Sequence, residues 1–307
     1  MDYKQFKESI VAALQDFYGK GASVIVNEVL KNNGTKYDGI NILLADSDKK
    51  IIPTIYFEGF YSLFSEGNMT LEDCVSAIIA LQEENEHSES VKHCAMKIRE
   101  WEDIKGSVYP ILLSTEGNEK LLDGFVTDKL LDLSIVYTIR LMVDGCGLGN
   151  VKISKQLFEQ YGITKEMLHE QALYNLKNDR YQLRGMEDIF ESFLTRDEPI
   201  GASMEPLKAI PMEPGKMYVL TNAVMMYGAA GILNKSFLKE ISGGRDFIIL
   251  PSSVHETIFI PVDEKIDLKE FDNMVEEVNA TQVHVEEQLA SHCYYYAAQA
   301  GEIQMCV

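Results

Sequence analysis

Met217-Tyr218-Val219-Leu220-Thr221-Asn222, then Tyr227-Gly228-Ala229-Ala230-Gly231-Ile232-Leu233, then Phe247-Ile248-Ile249-Leu250-Pro251-Ser252-Ser253-Val254-His255-Glu256-Thr257-Ile258-Phe259-Ile260-Pro261 decide the fold of this 307-residue chain. Short apolar runs bounded by proline and polar clusters are the mark of buried strands. The stretch therefore reads as strand, helix, strand, turn, strand. Its odd feature is the Ser-Ser-Val-His-Glu cluster held between two apolar runs.

Upstream, four of the eight prolines fall within residues 196–216. Proline removes main-chain donors, so this span reads as a linker or a long surface loop. It divides an N-terminal α+β region, 1–195, from a C-terminal α/β region, 217–307. In the first region, Phe6, Ile10, Leu14 and Phe17/Tyr18 recur three or four residues apart, the stripe of an amphipathic helix. Asn33-Gly34 between the runs Ser23–Leu30 and Tyr37–Ala45 signals a hairpin. A third run, Ile51–Phe57, makes a three-stranded meander, and Gly59–Glu66 a short helix over it. Thr70-x-x-Asp73 resembles a capping box and opens a helix expected to end near Gln82, with the acidic 83–87 segment as its solvated end. Helical spacing resumes over Val91–Ile104, where Trp101 is expected to pack in the core.

The middle switches to strand chemistry at Ile111–Ser114 and over Leu130–Val143. Leu131, Leu133, Ile135, Tyr137, Ile139 and Leu141 share one face there and Asp132, Ser134, Thr138 and Arg140 the other, which predicts one long half-buried strand. The turn Gly145–Asn150 leads to Val151–Ile153. It contains G-x-G without the spacing of a dinucleotide loop, so no cofactor is expected. Helices are predicted over Ser154–Tyr161, Thr164–Asn178 (Met167, Leu168, Ala172 and Leu176 on one face), Met186–Phe193 and Leu268–Asn279. Tyr294-Tyr295-Tyr296 is expected to complete a sheet edge or a contact surface.

With 48 acidic against 28 basic residues, the net charge is −20. Direct binding to nucleic-acid phosphates or anionic lipid is thereby disfavoured, and a basic protein partner is allowed. Five scattered cysteines without a C-x-x-C pair signal neither a disulfide framework nor a zinc ribbon. Together with an N-terminus lacking an apolar leader and no membrane-length apolar run, they lead to the expectation of a cytoplasmic protein.

Asn222, Tyr227, Ser252, Ser253, His255 and Glu256 are the residues expected to form a binding site. Ser253 and His255 lie two apart and share a face of an extended chain, yet nucleophilic catalysis also needs a third group orienting the base, and no G-x-S-x-G elbow is present. A structural turn is the simpler reading of this cluster. The small residues of Tyr227–Gly231 would allow either an anion at a helix N-terminus or close packing on the neighbouring sheet, and packing is favoured. His284 and His292, eight residues apart, cannot share one metal from a straight helix. His87, His93 and Cys94 form only a loose group, so no metal site is expected.

Val29–Gly34, Pro53–Glu58, Met217–Asn222, Tyr227-Gly228-Ala229 and Ile249–Glu256, taken together, resemble the motifs of a bacterial family, domain of unknown function 5688 (DUF5688). The resemblance spans most of the chain except 83–128. It implies a protein of anaerobic gut bacteria and, since the family has no established activity, carries over no catalytic residue. Three functions follow for weighing: a noncatalytic binding or regulatory module with an acidic surface, a hydrolase using the Ser253/His255 neighbourhood, and an acidic nucleic-acid mimic that inhibits a DNA-binding protein.

Overall fold

The computed structural model describes residues 1–45, 54–87, 97–143, 147–195, 212–262 and 268–306. It is an α+β protein, and among the described residues there are three antiparallel sheets, of three, four and six strands. The chain divides into two units, Met1–Arg99 with Leu141–Gly149, and Glu100–Arg140 with Asn150–Val307.

In the first unit, Asp2 and Gln5 form a reciprocal cap that opens α1 (Tyr3–Tyr18). Phe6, Ile10 and Leu14 turn inward as their spacing requires, while Phe17 stays exposed. The chain reverses at Asn32–Gly34, where Asn33 takes a positive φ of 55°. This pairs β1 (Ala22–Leu30) with β2 (Lys36–Leu44) along their whole length. β3 (Ile55–Tyr56) adds to β2, and α2 (Phe57–Ser65) follows at once. Thr70 and Asp73 do exchange main-chain N–H bonds, at 2.8 and 3.1 Å, and open α3 (Leu71–His87). That helix continues five residues beyond the expected end, because a glutamate-rich run favours helix and nothing in it breaks one. Ile40, Ile42, Phe57, Cys74 and Ile78 close the core with α1. Residues 51–53 and 91–96 of the runs expected above lie outside the described residues.

The second unit opens with α4 (Trp101–Ile104), β4 (Val108–Ser114), α5 (Glu119–Leu122), β5 (Thr127–Leu130), β6 (Leu133–Val143) as far as Arg140, and β7 (Gly147–Lys152) from Asn150. β6 is the centre of this sheet. The single strand expected over 130–143 is thus a hairpin: Leu131 takes φ 57°, is 40% exposed, and leaves Leu133 paired with Leu130. Nor is the Leu133–Ile139 stretch of β6 half-buried. Ser134 and Thr138 are buried too, because each finds a partner, Thr115 Oγ1 at 2.8 Å and the Tyr109 carbonyl at 3.3 Å. Alternation alone cannot show that a polar face will be covered.

Capped by Ser154 and Thr164, α6 (Lys155–Tyr161) and α7 (Lys165–Lys177) follow. Leu168, Ala172 and Leu176 of α7 are buried with Asn175, and Met167 is exposed rather than on that face. Asn175 donates to the Lys105 and Val108 carbonyls at 2.6 and 2.8 Å, fastening α7 to β4. Trp101 is half-buried, its ring 6.0 Å from that of Tyr161.

Then come β8 (Tyr181–Gly185), α8 (Met186–Thr195), β9 (Tyr218–Asn222), α9 (Lys235–Ser242), β10 (Phe247–Leu250), β11 (Thr257–Pro261), α10 (Leu268–Thr281), β12 (Tyr294–Ala297) and β13 (Glu302–Met305). Their sheet runs β13-β12-β10-β11-β9-β8. β8 and β9 pair across the 196–216 span, of which 196–211 lie outside the described residues. The tyrosine run is an inner strand instead of an edge, since β13 covers it. β10 is buried on both faces: Ile248 and Leu250 pack with Val275 of α10, and Phe247 stacks on Tyr296 and Phe259 at 4.6 and 4.9 Å.

Two partly buried polar links tie distant segments of this unit. Arg140, 14% exposed, bonds Asp179 at 2.9 Å and lies over the Tyr109 ring. Removing one member of such a pair strands the other charge, so Arg140→Ala is expected to cost about 3–5 kcal/mol, read from the urea midpoint. At the second link, Asp132 accepts from Tyr294 Oη and His292 Nε2, both at 2.9 Å, while His292 Nδ1 meets the Cys293 carbonyl at 3.0 Å. Burial opposes a charge on His292, but these acceptors, with Asp132 and Asp272 nearby, outweigh it and raise its pKa above 6.5. A raised folded pKa stabilises fully below the unfolded value and loses that contribution as pH climbs through the folded one. The stability gap between the native chain and Asp132→Asn is therefore expected to be widest at about pH 6 and to narrow by about pH 8 in urea titrations.

Candidate functional site

Asn222, fully buried at the end of β9, binds Met226 twice: its Nδ2 donates to the Met226 carbonyl at 2.8 Å and its Oδ1 accepts the Met226 N–H at 3.1 Å. This turn sets Tyr227 at φ 56° and aims its main-chain N–H at His255 Nδ1, 3.1 Å away. Thr221 Oγ1 donates to the His255 carbonyl at 2.9 Å. The Ser-Ser-Val-His-Glu loop is closed on itself as well. Ser253 Oγ accepts the His255 N–H at 3.0 Å, the Ser253 N–H reaches the Glu256 carbonyl at 3.2 Å, and Ser252 Oγ donates to Glu256 Oε1 at 3.3 Å. All six residues singled out in the sequence thus occupy one locality.

Gly228 is the keystone of this arrangement. A Cβ there would stand 2.5 Å from the His255 carbonyl, 2.6 Å from Thr221 Oγ1 and 2.8 Å from Asn222 N. Gly231 is similarly pressed against the Tyr181 ring. Tyr227–Gly231 opens a 3-10 helix, Gly228–Leu233, rather than an α-helix, and its small residues are buried against β9 and β4.

The chemistry of the loop follows from these bonds. Because His255 Nδ1 accepts a main-chain N–H, the ring proton belongs on Nε2, which faces Glu287 Oε1 at 3.7 Å. What the Ser253 hydroxyl meets is the main chain of His255, not the ring. The loop's polar side chains thus close on its own main chain and hold it as a clamp.

Beside the clamp lies a concave pocket of about 290 Å³ on the β8-β9-β11 face. Alternate residues of three strands form its floor in two rows. Gln182 stands opposite Thr221 with Glu256 beyond, and Arg184 stands opposite Val219, which faces Ile258. Met186 and Ile189 of α8, with Met225, supply apolar walls. Of the six residues named from the sequence, Glu256 alone lines it. Among the described residues the Gln182 and Arg184 side chains have no hydrogen-bond or ion-pair partner, although both turn into the pocket. The signal for them was the Gln-x-Arg alternation in Tyr181–Gly185, a five-residue run too short to stand out between two helices.

A second polar cluster also escaped the sequence reading. Tyr137 Oη donates to Asp128 at 2.7 Å and meets His169 Nδ1 at 2.8 Å, while Lys165 pairs with Asp128 at 2.8 Å. Burial works to raise the Asp128 pKa, yet the bonds from Lys165 and Tyr137 outweigh it and hold the carboxyl low. Lys165 and His169 are one helical turn apart, and the cluster docks α7 on the β5–β6 hairpin.

Among the described residues no three His, Cys, Asp or Glu side chains converge on a metal position, and no helix is long and apolar enough to cross a membrane. A family model described as "Family of unknown function (DUF5688)" matches residues 3–298, and the chain belongs to that family. No curated protein and no solved structure matches it.

Gly228→Ala would force a methyl group onto two main-chain atoms. It is expected to lower stability by about 3 kcal/mol in urea unfolding, whereas alanine at the solvent-facing Gly59 should change it by less than about 1 kcal/mol.

Proposed function

We propose that this DUF5688 member is a noncatalytic binding module whose pocket on the β8-β9-β11 face takes a small molecule with an anionic group and an apolar body. The observation that carries the reading is Arg184: a guanidinium turned into a partly apolar pocket, without an ion-pair partner among the described residues, in a chain of net charge −20. In such a chain carboxylates are abundant, and an arginine they do not engage presents a planar fork of donors suited to an outside anion. Gln182 and Thr221 add hydrogen-bonding groups on the neighbouring row, and Met186, Ile189, Val219 and Ile258 suit an apolar body. The volume lies near the roughly 300 Å³ floor of small-molecule sites, which favours a compact ligand.

A hydrolase centred on Ser253 and His255 draws less support, because the imidazole and the hydroxyl are each engaged by main chain. The clamp serves the pocket in this reading by fixing Glu256 and Thr221 at its rim.

Calorimetric titration of straight-chain carboxylates against alcohols of equal length tests the proposal. The carboxylates are expected to bind more tightly, and Arg184→Gln to weaken them about 10- to 100-fold while leaving the alcohols unchanged, the loss of one charge-assisted contact. Equal binding of both series to both proteins would remove the anion-binding role. Binding of neither series would remove the pocket reading itself.

A further inference from the structure

The β12–β13 hairpin pairs Tyr294 with Met305, Tyr295 with Gln304, Tyr296 with Ile303 and Ala297 with Glu302. One step outward in the same register, Cys293 stands opposite Cys306. The Cys293 N–H is bound to Asp272 Oδ1 at 2.8 Å and so makes no ladder bond to the opposite chain. Facing residues of an antiparallel pair have Cα atoms about 4.5–5.5 Å apart, within the roughly 4.4–6.8 Å that a disulfide spans. Both side chains also point to the same face. Cys293 is fully buried among Ile248, Leu250 and Val275 beneath α10, and Cys306 packs against that cluster from a partly exposed position. Cys293 Sγ is directed at the Leu268 carbonyl at 3.8 Å, the Cys306 thiol lies near enough to help raise its pKa beside the larger effect of burial, and both cysteines are reduced.

We propose that Cys293 and Cys306 are a covalent modification site, a dithiol that closes to an intrachain disulfide by exchange with a low-molecular-weight disulfide. Cys306 reacts first, being the one that solvent reaches. Its sulfur loses a proton and attacks one sulfur of the reagent, forming a mixed disulfide and releasing one thiolate, which is protonated. The Cys293 thiolate then attacks Cys306 Sγ, forming the ring and expelling the second reagent thiolate. Two protein thiols are oxidised, and one reagent disulfide is reduced to two thiols.

Burial raises the pKa of both thiols, so little thiolate is present near neutral pH and the exchange is slow there, accelerating as pH rises. Closure joins the ends of the hairpin that carries Tyr294, and thereby the strand bound to Asp132. The ring restricts the unfolded chain more than the folded one and adds stability.

Native full-length chain incubated with oxidised glutathione, blocked with an alkylating agent and digested without reductant tests this. The expected product is a peptide pair linked through Cys293 and Cys306, with the intact mass lower by two hydrogens and no glutathione retained, formed faster at higher pH and unfolding at a higher urea midpoint than the reduced chain. In Cys293→Ser the same treatment should stop at glutathione held on Cys306. The proposal is overturned if the native chain itself stops at the glutathione adduct, if the link forms to Cys74, Cys94 or Cys146 instead, or if Cys293→Ser still loses two hydrogens.

Discussion

The second unit depends on a close approach of main chain to main chain at Gly228, where the 3-10 helix presses on the His255 carbonyl and the Asn222 amide. No side chain fits between them. Because that helix touches β9 on one side and β4 on the other, the contact joins the six-stranded sheet to the four-stranded one. Asn222 makes the approach possible by holding Met226 and forcing Tyr227 into the left-handed region. The strain at Tyr227 is offset by its bond to His255 and by packing of its ring beside the imidazole. A loop rich in serine, histidine and glutamate thus holds the main chain in place at this approach.

A different physical device fixes β6. Its Leu133–Ile139 stretch is buried on both faces although polar residues stand among the apolar ones, and the cost is offset one by one, as it is at partly buried Arg140: Ser134 by Thr115, Thr138 by Tyr109, Arg140 by Asp179, Tyr137 by Asp128 and His169. Apolar packing alone would tolerate several registers of such a strand. Specific polar partners at four positions tolerate one.

Local chemistry was readable where neighbours in sequence are also neighbours in space. The Thr70–Asp73 cap, the Asn33 turn and the inward stripe of α1 follow from spacing alone, as does the alternation of strands and helices in 217–262. Reading failed wherever a distant partner decided the outcome. Leu130–Val143 alternates smoothly through Leu131, and only the pairing of Leu130 with Leu133 reveals the turn. Gln182 and Arg184 look like two residues of a spacer until β9 and β11 line up beside them. The cysteines at 293 and 306 meet only because a hairpin folds back between them.

The molecule carries one tryptophan, and its position has a practical side. Trp101 belongs to the second unit and sits against Tyr161 of the same unit. Its fluorescence emission therefore registers loss of packing in that unit, while melting of the α1–α3 layer over the three-stranded meander would pass unseen at those wavelengths. Far-ultraviolet circular dichroism sums helix over the whole chain, so a mismatch between the two optical traces would separate the unfolding of one unit from that of the other.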